Sequence, residues 1–84
     1  EARQMYTKGI GILPGFKVYK SVANFIFIKY PIELKESLQQ AFAESNYKVK
    51  FMSEPDINSH LRITLGRAEQ NRFVCDTIKR IAQP

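Results

Sequence analysis

The stretch that decides the fold is NFIFIKY, residues 24–30. Its apolar residues are aromatic or β-branched, which are the side chains that fit a pleated strand best. Because successive side chains of a strand point to opposite faces, this stretch places apolar groups on both of them. It therefore predicts a central strand that is covered on two sides or turns one face toward a partner.

Shorter patterns predict the elements around this strand. Alternating apolar and polar residues indicate further strands, and apolar residues at i, i+4, i+7 and i+8 indicate amphipathic helices. The predicted order is a helix end at 1–7, strands at 16–20 and 24–30, a helix at 31–46, strands at 47–52 and 61–65, and a helix at 68–81. Pro31 is expected at the first helical position and Asn46 at the helix end. The polar residues 53–60 are expected to form a loop.

This order predicts an α+β fold, a two-layer domain with a three- to four-stranded, mainly antiparallel sheet and two main helices on one face. The 84 residues suffice for one domain with one core. The sheet face opposite the helices is then left exposed, unless a partner or another domain covers it. Phe25 or Ile26, depending on the register, is expected to lie there.

Composition narrows the class of protein. The chain is 44% hydrophobic and 25% charged, which is typical of a folded domain. No apolar run approaches the ~18 residues of a membrane-spanning helix, and the first residues lack the order of a signal peptide. The single Cys75 cannot form a disulfide framework and, with the lone His60, makes no zinc set. We therefore expect a cytoplasmic protein without a metal site or a membrane partner.

The net charge of +5 favours an anionic ligand or nucleic acid, or simply a basic excess on a mixed surface. The basic residues are scattered along the sequence, with acidic residues interleaved in both predicted helices, so nucleic acid is not expected as a partner. An RNA-binding module is the alternative from another class, because Phe25 and Phe27 share a strand face. The chain, however, lacks the Gly-rich aromatic signature of RNA-binding modules. A free-standing regulatory or interaction domain is the other alternative.

Several segments occur together in one order. LPGFKVY (13–19) leads into SVANFIFI (21–28), YKVK (47–50) follows a predicted helix, and LRITLG (61–66) precedes EQN (69–71) at the start of the last helix. With these segments the chain resembles the C-terminal small domain of histidinol-phosphate aminotransferases, pyridoxal-phosphate enzymes of fold type I. The resemblance covers most of the chain. It implies that residues 1–12 are the end of an inter-domain helix and a linker.

The resemblance also implies a function for a larger parent enzyme. That enzyme transfers an amino group between histidinol phosphate or an amino acid and a 2-oxo acid, with pyridoxal 5′-phosphate as the electron sink. Its Schiff-base lysine and phosphate site lie in a preceding large domain of the same chain. This chain is therefore expected to hold no catalytic or cofactor-binding residue and to be inactive alone, and the parent to be a homodimer. Alternatives in the same class are a threonine-phosphate decarboxylase or another class I/II aminotransferase.

Arg62 is the principal candidate for a binding residue. It projects from the strand opposite to Leu61 and Ile63. A long cation is costly to bury without an anion, and a guanidinium grips a carboxylate or phosphate through two parallel hydrogen bonds. The alternative is an exposed arginine in a surface salt bridge. The resemblance implies that Arg62 holds the anionic end of the substrate, which is a phosphate in the histidinol-phosphate branch and a carboxylate in most other members.

Lys50 and Asn24 are two further substrate-binding candidates implied by the resemblance. Lys50 stands where the branch often has an arginine aimed at the phosphate, and a lysine keeps the charge without the fork. Asn24 begins the central strand and is expected to orient Arg62 or neighbouring backbone. The alternatives are an exposed edge-strand lysine and an asparagine that satisfies its own turn.

Three more residues carry structural expectations. Arg67 replaces the Thr or Ser that would cap the last helix, so that helix start is expected to be less well specified. His60 is expected to be a solvated loop residue. Cys75 is expected to be a small, buried apolar residue.

Overall fold

The computed structural model of the chain describes residues 2–20, 23–43 and 49–83. Its α-helices are α1 (Ala2–Gly9), α2 (Lys35–Ala43) and α3 (Ala68–Ala82), and its strands are β1 (Lys17–Val18), β2 (Phe25–Lys29), β3 (Val49–Phe51) and β4 (His60–Thr64). Short 3-10 turns span Ile32–Leu34 and Pro55–Ile57. The strands form one four-stranded sheet in the order β1-β2-β4-β3. Every neighbouring pair is antiparallel.

The core lies on one face of this sheet. Ile26 and Ile28 of β2 and Leu61 and Ile63 of β4 are almost fully buried there. They pack in one cluster with Ile10, just after α1, and with residues of all three helices, namely Tyr6, Leu38, Phe42, Val74, Cys75 and Ile78. Each such aliphatic side chain stabilises the fold by about 1.5–3 kcal/mol relative to an exposed one. The predicted two-layer α+β domain is confirmed, with three helices among the described residues.

The N-terminal helix is part of this core. The Tyr6 hydroxyl donates a hydrogen bond to the backbone carbonyl of Asn71 over 3.2 Å, which ties α1 to α3. Burial, with a smaller contribution from the neighbouring Cys75 thiol, raises the pKa of Tyr6. Cys75 is buried, as predicted. The expectation that 1–12 links two domains stays a prediction.

The start of α3 is held by side chains that reach back from its first turn. The Arg67 N–H donates to Gln70 Oε1 at 2.9 Å. The Gly66 N–H donates to Asn71 Oδ1 at 3.0 Å, and Asn71 Nδ2 donates to the Gly66 carbonyl at 3.0 Å. Asn71 is only 3% exposed, so these bonds are shielded from water. The Arg67 side chain makes no cap hydrogen bond, as expected of an arginine, while Gln70 and Asn71 tie the two residues before the helix to its first turn.

The helix predicted over 31–46 differs at its beginning. Pro31 is extended, with ψ 129°, and precedes a 3-10 turn instead of occupying the first helical position. The α-helix proper begins at Lys35, and its apolar residues Leu38 and Phe42, at i and i+4, are buried. The expected end at Asn46 and the first residues of the strand predicted over 47–52 lie outside the described residues. The strand predicted over 16–20 is confined to β1.

Candidate anion-binding site on the open face of the sheet

The sheet face opposite the core, hereafter the open face, follows from strand alternation. Because Ile26, Ile28, Leu61 and Ile63 face the helices, their neighbours along each strand face the other way. The open face therefore carries Lys17 of β1, Phe25, Phe27 and Lys29 of β2, Lys50 of β3, and His60, Arg62 and Thr64 of β4.

The charges of the open face are of one sign. Lys17 is the direct register partner of Lys29, and Lys50 is that of Arg62. The described residues of the four strands include no Asp or Glu. Basic residues that are scattered in sequence are thus gathered by strand pairing. Like charges placed directly opposite each other destabilise a sheet, and a bound anion offsets that repulsion.

Arg62 lies at the centre of this face. Its guanidinium carbon is 4.5 Å from the centroid of the Phe25 ring, within the range of a cation–π contact. Its Nε is buried and, among the described residues, has no hydrogen-bond partner. Leaving a buried donor unpaired costs about 1–3 kcal/mol. The position therefore suits an arginine whose acceptor comes from a ligand or a covering layer.

Lys50 and Asn24 flank this arginine differently. Lys50 is exposed on β3, directly opposite Arg62 in the register, so the two cations can share one anion. Asn24 is an exposed residue just before β2, and its backbone carbonyl accepts a hydrogen bond from the Leu65 N–H at 2.8 Å. That bond extends the pairing of β2 with β4 by one residue. The expected role of Asn24 in orienting Arg62 stays a prediction.

His60 is the residue that sequence reasoning misjudged. It is the first residue of β4 and only 8% exposed, so the expectation of a solvated loop histidine is wrong. Its ring stacks on Phe27 at 5.3 Å, and its Nε2 lies 3.3 Å from the Tyr19 hydroxyl. Its Nδ1 is buried without a hydrogen-bond partner in the described part of the chain. His60 stands two residues before Arg62 and four before Thr64, and this even spacing is the sequence signal that predicts all three side chains on the same sheet face.

The described lysines differ from the lysine that binds pyridoxal phosphate. A Schiff-base lysine is activated by desolvation or by a neighbouring cation within an enclosed site. The described lysines are all exposed or half-buried, and they are Lys8, Lys17, Lys20, Lys29, Lys35, Lys50 and Lys79. These residues do not fit a site for that cofactor by themselves.

In 2–20, 23–43 and 49–83, no cluster of three or more His, Cys, Asp or Glu residues is arranged to hold a metal ion. Within those ranges no helix has the length and apolar character needed to cross a membrane.

Together, these features define a small α+β domain whose helices cover one sheet face and whose other face is cationic and aromatic. Such a face suits an anion held between this domain and a second layer. No family model matches the chain. Individual relatives do.

The relatives share one name. A histidinol-phosphate aminotransferase of Acinetobacter baylyi is 42% identical over 65 residues, which are 77% of this chain and 18% of the relative. One of Acinetobacter baumannii is 36% identical over 78 residues, 93% of this chain and 21% of the relative. One of Roseiflexus castenholzii is 28% identical over 83 residues, which are 95% of this chain and 22% of the relative. The chain thus spans 18% to 22% of the length of these curated relatives. The resemblance to histidinol-phosphate aminotransferases is confirmed.

Proposed function

We propose that this chain is the C-terminal substrate-binding part of a pyridoxal-phosphate aminotransferase of the histidinol-phosphate type, and that Arg62 holds the anionic end of the substrate. The observation that carries this proposal is the state of Arg62. Its guanidinium is fixed on an aromatic ring, its Nε has no partner among the described residues, and the strands around it carry no carboxylate. The names of the relatives supply the reaction class.

The pairing of Arg62 with Lys50 favours a phosphate over a carboxylate. A phosphate monoester carries about −1.5 to −2 charges at neutral pH, and two adjacent cations match that charge better than they match a monoanion. Arg62 supplies the bidentate fork, and Lys50 adds a point charge on one side. Within the same class, a threonine-phosphate decarboxylase would use the same pair, and an aminotransferase for another amino acid would need Arg62 alone.

In this proposal the chain binds and orients, and the chemistry is supplied from elsewhere. Pyridoxal phosphate provides the electron sink when it is bound by the large domain of the parent enzyme. That domain would also cover the open face and supply an acceptor for Arg62 Nε and a hydrogen-bond partner for His60 Nδ1. The parent is proposed to be a cytoplasmic homodimer, and the isolated chain is proposed to be inactive.

An RNA-binding role is less well supported by the same face. A base-stacking platform needs aromatic rings with a free surface. Phe27 stacks on the His60 ring, and Phe25 lies under the Arg62 guanidinium. One side of each ring is therefore already occupied.

The test is the substitution Arg62→Ala in the full-length enzyme that contains this chain. Breaking a partly buried charge pair costs about 2–4 kcal/mol, so kcat/KM for histidinol phosphate should fall roughly 30- to 1000-fold. The value for histidinol, which lacks the phosphate, should change little. Arg62→Lys should recover only part of the loss, because it restores charge without the fork.

The control is Arg72→Ala, which removes an exposed arginine from α3. This variant should leave kcat/KM for both substrates unchanged. Equal activity of Arg62→Ala and Arg72→Ala toward histidinol phosphate would contradict the proposal. Equal losses for histidinol and histidinol phosphate in Arg62→Ala would show that Arg62 does not read the phosphate.

A further inference from the structure

We infer that Phe25 is a positioning residue for Arg62: its ring, in place of a carboxylate, holds the guanidinium in the orientation that binds the anion. The inference rests on the proposed function, since it concerns the same anion. It assigns a role to a residue that composition and strand patterning mark only as an apolar side chain. Phe25 is 37% exposed on the open face, and its ring centroid lies 4.5 Å from the Arg62 guanidinium carbon.

The strand register explains why Phe25 supports Arg62. Phe25 pairs with Thr64, so Arg62 is its diagonal neighbour, two residues along β4. Diagonal neighbours lie roughly 7–8 Å apart at the backbone, a gap that a ring and a long side chain can close. Phe27, the direct register partner of Arg62, is instead stacked on His60 at 5.3 Å. With Phe27 engaged by His60, Phe25 is left as the platform for the guanidinium.

A neutral platform has a consequence for binding. An arginine held by a carboxylate has part of its charge compensated, and an incoming anion must compete with that carboxylate. The Phe25 ring attracts the cation through its quadrupole and accepts none of the guanidinium's strong N–H hydrogen bonds. Arg62 is therefore oriented while its full charge and donors stay available for the anion.

The inference can be tested on the 84-residue chain itself. The probe of orientation is the NMR resonance of the Arg62 Hε proton, which the Phe25 ring current should displace from its usual position. The probe of binding is inorganic phosphate, titrated in a low-salt buffer and followed by the same resonance and by backbone amide shifts. Phe25→Leu keeps an apolar side chain of similar size, and Phe25→Tyr keeps the ring.

Phe25→Leu should return the Hε resonance to its usual position and weaken phosphate binding about 2- to 30-fold, the range expected for loss of a cation–π contact. Phe25→Tyr should restore both. A thermal unfolding curve shows whether each variant is folded. This pattern, with Arg62→Ala also weakening phosphate binding, would support the inference.

The possible failures are distinguishable. If Arg62→Ala weakens phosphate binding and folded Phe25→Leu binds as tightly as the unsubstituted chain, the positioning role is wrong and the proposed function stands. If Phe25→Tyr binds as weakly as Phe25→Leu, the ring is not the orienting group, and the inference is again overturned. If Arg62→Ala leaves phosphate affinity unchanged, the proposed function fails and the inference fails with it.

Discussion

The substitution Lys50→Glu should weaken anion binding and strengthen the fold at the same time. Lys50 is exposed and lies directly opposite Arg62 in the register of β3 and β4. A glutamate there would replace a pair of like charges by a pair of opposite charges. It would also place a carboxylate beside the guanidinium that we propose binds the substrate.

The effect on binding follows from the charges. Two unit charges about 6 Å apart in water interact by about 0.7 kcal/mol. Lys50→Glu changes the local charge by two, and phosphate carries about −1.5 to −2, so the unscreened loss is roughly 2–3 kcal/mol. Salt at physiological strength reduces this by about half. Affinity for inorganic phosphate at physiological ionic strength should therefore fall roughly 5- to 15-fold.

The effect on stability has the opposite sign. An opposite-charge pair directly across two strands contributes about 0.2–1 kcal/mol, and the like-charge pair that it replaces is unfavourable. In a domain of this size that gain raises the midpoint of thermal unfolding by about 1–8 °C. The gain should shrink in 1 M salt, because the pair is exposed.

The assay compares phosphate titrations and thermal unfolding of three variants with those of the unsubstituted chain. Lys50→Gln, which removes the charge without inverting it, should give about half of the change in binding. Lys8→Glu makes the same change in net charge on α1, in the helix layer, and should barely alter phosphate affinity. If Lys50→Glu bound phosphate as Lys8→Glu does, the two-cation site would be refuted. A lower midpoint for Lys50→Glu would refute the proposed repulsion between Lys50 and Arg62.

Two other predictions concern stability. Tyr19→Phe removes the hydrogen bond to His60 Nε2 and should lower the free energy of unfolding in urea by about 0.5–1.5 kcal/mol; no change would mean that this bond is not formed in solution. Burial raises the pKa of the Cys75 thiol above its ordinary 9.0, so the fold favours the protonated thiol. Its contribution is complete below pH 9 and is lost as pH rises beyond it, because the unfolded chain ionises first. Urea unfolding between pH 7 and 10 should show this decline, and a Cys75→Ala chain with an equally steep decline would count against it.

The sequence predicted what depends on neighbours along the chain. The run of aromatic and β-branched residues in 24–30 marked β2, and alternation around Leu61 and Ile63 placed Arg62 on the face away from the core. Both inferences need only the geometry of a single strand. The layer architecture followed because amphipathic helices have to bury their apolar stripes against such a sheet.

What could not be predicted depends on pairing between strands. The juxtaposition of Lys50 with Arg62, and of Lys17 with Lys29, arises from the register and has no trace in local sequence. The polar residues before His60 predict a loop that includes it, yet pairing with Lys29 makes His60 part of β4. The contact between Phe25 and Arg62 requires both the register and the competing stack of Phe27 on His60.

The order of the strands has a kinetic consequence. β4 lies between β2 and β3, although it is the last of the four described strands to be synthesised. Neither of those neighbours can complete its ladder until residue 64 has left the ribosome. Pairing strands that are distant in sequence loses chain entropy before the stabilising contacts between them form. We therefore expect sheet formation to limit the folding rate. Until then β2 exposes an unpaired apolar edge, and nascent chains stalled before β4 should be the ones that aggregate.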